Sequence, residues 1–83
     1  MEHTVTDHFL QAIFKEYLHA SEKFPPFHSP HEGESVIREE FEELWEEIKK
    51  KQTDRSLILM RGECIQLGAM ALRFLVDLCP VEE

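Results

Sequence analysis

Glu40 and Glu43 stand three residues apart, and Glu63 and Gln66 repeat that spacing. On a helix, side chains three apart share a face, with Cβ atoms about 5–6 Å from each other. Antiparallel packing of two helices carrying such pairs would bring four oxygen-bearing groups together. Hard oxygen donors of this kind suit Mg²⁺ or Mn²⁺. Mg²⁺ usually keeps several waters and completes its shell with substrate phosphates, so the chemistry indicated is metal-mediated binding of a polyphosphate. The same ion would let a protein of net charge −8 bind an anion, because a bound cation reverses the sign of the local field.

The element that must position the first pair is the stretch VIREEFEELWEEI, residues 36–48. Val36, Ile37, Phe41, Leu44, Trp45 and Ile48 recur at helical spacing and fill one side of a helix. With Val36 at the origin, Ile48 lies at roughly 120° and Trp45 near 180°. Glu40 falls at about 40°, inside the apolar sector, and Glu43 borders it near 340°. A solvated face accounts for Glu42 and Glu46 but fits Glu40 poorly. Isolated carboxylates turned toward a core are costly unless they are paired or coordinated.

Three helices and no strand emerge, so the expected fold class is all-α, one domain over residues 1–83. The first helix runs from about 6 to 21, with the stripe Phe9, Leu10, Ile13, Phe14, Tyr17 and Leu18. Thr4 or Thr6 suits its N-cap. It stops before EKFPPFHSP (22–30), whose prolines hold the chain extended. That loop is either a connector pinned by Phe24 and Phe27 or a flap over a ligand. The second helix runs from about 30 to 50, capped by Ser29 with Pro30 in the first turn. Lys49, Lys50 and Lys51 suit its C-terminal end, where cations oppose the helix dipole. After a short turn, with Thr53 or Asp54 as cap, the third helix spans about 55–78. Its apolar residues cover nearly the whole circumference, which demands burial on most sides. Two other helices of a small chain cannot provide that, so the third helix is expected to build a homodimer or tetramer. Glu63, Gln66, Arg73 and Asp77 form its narrow polar stripe, with Arg73 expected to pair with Asp77 or with a carboxylate across the interface.

The balance of 9 basic to 17 acidic residues argues against nucleic-acid polymers and anionic membranes as partners. Ile65 to Leu78 is too short and too polar to span a bilayer. The start MEHTVTDHF has neither a basic region nor an apolar run, so a cytoplasmic location is expected. Cys64 and Cys79, about 22 Å apart if on one helix, cannot form a disulfide and read as reduced, buried thiols.

The run Glu39-Glu40-Phe41-Glu42-Glu43, followed by Glu63-Cys64-Ile65-Gln66, resembles the E-E-x-x-E … E-x-x-D signature of the MazG-like all-α nucleotide pyrophosphohydrolases. That superfamily includes phosphoribosyl-ATP pyrophosphohydrolases and dimeric dUTPases. The match covers residues 36–78, and HEGESVIREEFEELWEEI with AMALRF looks like small phage-type members. The resemblance implies hydrolysis of a nucleoside triphosphate to a nucleoside monophosphate and pyrophosphate. Glu40, Glu43 and Glu63 map onto the metal ligands, and Glu39 maps onto the first acid, assigned to orienting or deprotonating the attacking water. Gln66 departs from the pattern: its amide oxygen can ligate a hard cation but brings no charge. Asp77 lies about 16 Å farther along the helix and cannot replace the missing acid within one subunit. Glu47 points near the apolar sector, as an extra ligand or as a solvated residue at the helix end. Arg61 and Lys49 to Lys51 are candidate contacts to the outer phosphates.

His3, His8, His19, His28 and His31 show no zinc spacing on one helix. Glu16 to His19 resembles the Glu-x-x-His of di-iron bundles, a design that needs a second copy the chain lacks. A reading from another class keeps the helical oligomer without catalysis. In it, the carboxylates pair with Arg61, Arg73 or lysines across an interface, and the protein acts as a nucleotide-binding, regulatory or protein-interaction module.

Overall fold

The structure is a computed structural model that describes residues 4–82; His3 lies outside them. It is all-helical among those residues: α1 (Val5–Lys23), α2 (Pro30–Ile48), a single 3₁₀ turn (Gln52–Asp54) and α3 (Leu57–Leu78). The caps follow from side-chain chemistry. Thr4 accepts the Asp7 N–H at 3.0 Å while Asp7 reaches back to the Thr4 N–H, closing a capping box. Ser29 accepts the Glu32 N–H at 3.1 Å, with Pro30 opening the helix as expected.

The start of α3 differs from expectation. Its N-cap is Ser56, which accepts the Leu59 N–H at 3.1 Å, rather than Thr53 or Asp54. Those residues form the 3₁₀ turn. The reason is tertiary: Glu47, only 5% exposed, accepts the Ser56 N–H at 2.9 Å and the Lys50 ammonium at 2.9 Å. Glu47 is therefore neither solvated nor turned to a metal. It joins the end of α2 to the head of α3, and these donors hold its carboxyl below the usual range.

Both α1 and α2 pack on α3, and their backbones do not approach each other. The α2–α3 pair is antiparallel, because Glu47 meets Ser56 at one end while Gly33 lies against Phe74 and Leu78 at the other. A Cβ on Gly33 would stand 2.5 Å from Phe74 Cδ2. Gly68 lets α1 approach in the same way: its missing Cβ would be 3.0 Å from Ile13 Cδ1. The centre is small. Ala20, Ala69 and Met70 are buried together, with Tyr17, Val36 and Ile37 packed around them.

The chain measures 46 × 39 × 20 Å, so it is about two helix diameters thick and every helix keeps a solvent face. The stripe of α1 splits accordingly. Phe9, Ile13 and Tyr17 are half-buried, whereas Leu10, Phe14 and Leu18 are exposed. Phe41 and Trp45 of α2 are exposed too, as are Leu57 (72%), Ile58 (74%), Leu59, Leu75 and Val76 of α3. Cys64 and Cys79 are free thiols but exposed, not buried, because α1 and α2 cover only part of α3. No helix is long and apolar enough to cross a membrane.

Candidate metal centre

The expected convergence of α2 and α3 is found for the three carboxylates of the four side chains. Glu40, Glu43 and Glu63 each offer a carboxylate oxygen, and these atoms lie within 4.8 Å of one another. Two come from successive turns of α2 and the third from α3, so the antiparallel packing makes the cluster. Glu40 and Glu63 are half-buried and Glu43 is exposed. Glu40 Oε2 is shielded from solvent without a hydrogen-bond partner.

The electrostatics follow from crowding. Burial, with the charges of Glu43, Glu63 and Glu39, pushes the Glu40 carboxyl up to about 7. Burial and the Glu43 carboxyl beside it raise Glu63 as well. Three acids share one position with no ammonium or guanidinium bonded to them among the described residues. A divalent cation would relieve that repulsion. The donor set is all oxygen and lies between two helices, which fits a hard ion.

A cavity of about 480 Å³ adjoins the cluster, in the gap that α1 and α2 leave above α3. Glu39, Glu40 and Glu43 line its α2 wall, and Gln66, Met70 and Arg73 belong to α3. Glu39, exposed, and Gln66, half-buried, thus share one cavity with the carboxylates. Glu63 belongs to the cluster but does not line the cavity. The α1 wall carries Glu16 and His19, whose side chains face each other at 3.8 Å. Periodicity alone could not place that pair opposite the α2 acids, because the sequence carries no sign of how α1 docks.

The proline-rich loop closes one end, with Phe24, Pro25 and Phe27 in the lining. Of its two phenylalanines only Phe27 pins the loop; it is buried, while Phe24 is 58% exposed. Arg73 and Asp77 do not pair with each other, contrary to the helical spacing. Asp77 accepts the Phe27 N–H at 3.0 Å, and Arg73 Nη2 donates to the Pro25 carbonyl at 2.8 Å. The Arg73 guanidinium also lies 4.4 Å from the centre of the Phe27 ring. The loop fold-back, absent from any local pattern, captures both side chains. Lys49 and Lys50 bond to Glu46 and Glu47. Arg61 is exposed and borders a separate apolar groove with Phe9, Leu57 and Cys64, so neither it nor those lysines line the cavity. Compared with protein-family models, curated proteins and solved structures, the chain matches none.

Proposed function

We propose that the protein is a MazG-like, metal-dependent nucleoside triphosphate pyrophosphohydrolase. The observation that carries this reading is the meeting of Glu40, Glu43 and Glu63 within 4.8 Å beside a cavity large enough for a small ligand. These three residues would hold Mg²⁺ or Mn²⁺, with Gln66 adding an amide oxygen. The ion supplies charge neutralisation at the phosphates and acidifies a water. Glu39, on the cavity wall, takes the proton of the attacking water. Water oxygen bonds to the α-phosphorus, the α–β bridging oxygen departs with pyrophosphate, and the nucleoside monophosphate is left. Three carboxylates rather than four imply weaker retention of a second ion.

The exposed apolar faces of all three helices support self-association as part of the same proposal. A second copy covering α3 would complete a core that one protomer leaves open. Gln66 favours a second reading, in which the assembly binds nucleotides or a protein partner without turnover.

The test is pyrophosphate release from a panel of nucleoside triphosphates with Mg²⁺, wild type beside Glu40→Gln. Release by wild type, reduced at least about a hundredfold in the variant, is expected. Absence of release from every nucleotide would remove the enzyme reading.

A further inference from the structure

Arg73 and Asp77 stand four apart on α3, and neither enters an ion pair among the described residues. Arg73 is buried, and a buried guanidinium without a carboxylate is costly. What surrounds it is the loop of residues 24–29 and Met70. Nη2 donates to the Pro25 carbonyl at 2.8 Å, Nη1 lies 3.8 Å from Met70 Sδ, and the guanidinium covers the Phe27 ring at 4.4 Å. Asp77 takes the Phe27 N–H at 3.0 Å, two residues farther along the loop. Both charged groups of α3 therefore hold loop backbone, and the buried Phe27 lies between them in sequence and under one of them in space.

The rest of the loop is equally committed. The Phe24 N–H donates to the Ala20 carbonyl at 3.0 Å, and the His28 N–H to Glu32 at 3.2 Å. Pro25 and Pro26 have no N–H to offer and a fixed φ. Every backbone donor from 24 to 28 is thus bonded. A flap would have to break the two links to α3 and expose Phe27 in order to swing. The loop also stands where α1 and α2 have no backbone contact of their own, at the end of the gap that holds the 480 Å³ cavity. On α3, α2 is fastened at both ends, by Gly33 against Phe74 and by Glu47 on Ser56. The last turns of α1 have the buried Ala20 and then the loop.

We propose that Arg73 and Asp77 form a clasp that makes this loop a fixed end wall of the cavity rather than a flap, and that the clasp holds the C-terminal turns of α1 in place across the gap from α2. The two residues act through the loop backbone and are positioning residues. The cavity is open and shaped before any ligand arrives. The inference needs neither the hydrolase nor the metal, because every contact in it lies away from Glu40, Glu43 and Glu63.

The experiment is amide hydrogen exchange of the whole protein, followed residue by residue by NMR in EDTA. The Phe27 N–H, although outside any helix, should exchange at least about a hundredfold more slowly than a free amide. Asp77→Ala should speed it at least about tenfold and also loosen the amides of residues 20–24. Asp77→Asn keeps an oxygen acceptor and should restore protection. The Ser56 N–H, held by Glu47 at the far end of the molecule, should change less than about threefold in each variant. Arg73→Met should act as Asp77→Ala does; if it unfolds, the Asp77 pair decides alone. A Phe27 N–H that exchanges freely in wild type would make the loop a flap and overturn the proposal. So would unchanged exchange in Asp77→Ala, failure of Asp77→Asn to restore it, or equal acceleration at Phe27 and Ser56, which would mean a general loss of stability.

Discussion

Glu40 of α2 and Glu63 of α3 place carboxylate oxygens within 4.8 Å of each other, and Glu43 completes the group. Burial, together with like charges that close, favours the protonated acid and pushes the Glu40 carboxyl up to about 7. A protein that met no cation there would be destabilised by its own site at neutral pH.

Divalent cations should therefore stabilise the fold. A ligand selective for the native state raises the melting midpoint by mass action, and at a hundred times its Kd the gain is about 2.7 kcal/mol. Millimolar Mg²⁺ or Mn²⁺ should raise the midpoint of wild type measured by circular dichroism. Glu63→Gln should cut that increase while melting higher than wild type in EDTA, because one of the repelling charges is gone.

The pH dependence of the metal-free protein has a defined sign. Glu40 and Glu63 bind protons more tightly folded than unfolded, so stability must fall as pH rises from about 4.5 through about 7. Glu32 and Glu47 are held below their ordinary value, and their contribution is lost as pH falls below about 4.5. Denaturant midpoints in EDTA should decline between pH 5 and 8, and Glu40→Gln should flatten that decline. A wild-type profile rising across the window would contradict the crowded cluster.

Gly33 should be intolerant of a side chain. Alanine there would press on Phe74 at 2.5 and 2.8 Å and on Leu78 at 3.3 Å, at the crossing that aligns α2 with α3. Gly33→Ala is expected to cost about 1–3 kcal/mol in chemical unfolding despite its higher helix propensity. At Gly62 an added Cβ meets nothing within 4 Å, so Gly62→Ala should not lower the stability of the isolated protomer.

Sedimentation should give a mass of at least twice the 9.8 kDa of one chain. Ile58→Glu, at a side chain already exposed in the protomer, should shift the species toward one chain and lower the midpoint. A wild type that sediments as a single chain at high concentration would remove the self-association proposal.

The sequence was most legible where a local rule governs. Ser29 as a cap, Thr4 as one of two candidate caps with Thr6, Pro30 at the head of α2, and the turn of Glu40 toward the core all follow from spacing and hydrogen-bonding chemistry. What escaped is tertiary. Ser56 heads α3 because Glu47, far back on α2, takes its N–H. Arg73 and Asp77 have ideal i, i+4 spacing and ignore each other because the returning proline loop offers the Pro25 carbonyl and the Phe27 N–H. Cys64 and Cys79 have apolar neighbours in sequence but stay exposed, since two helices cannot enclose a third. The cluster was legible in part: helical periodicity pairs Glu40 with Glu43, while Glu63 joins them only through antiparallel packing.

Three carboxylates acting as one cation site are tested directly by Mn²⁺ binding followed by electron paramagnetic resonance. Wild type should take up Mn²⁺ at a site from which Mg²⁺ displaces it, and Glu40→Gln and Glu63→Gln should each weaken it at least about tenfold while remaining helical. Equal Mn²⁺ affinity in wild type and both variants would contradict the shared site, whatever the protein's other activities.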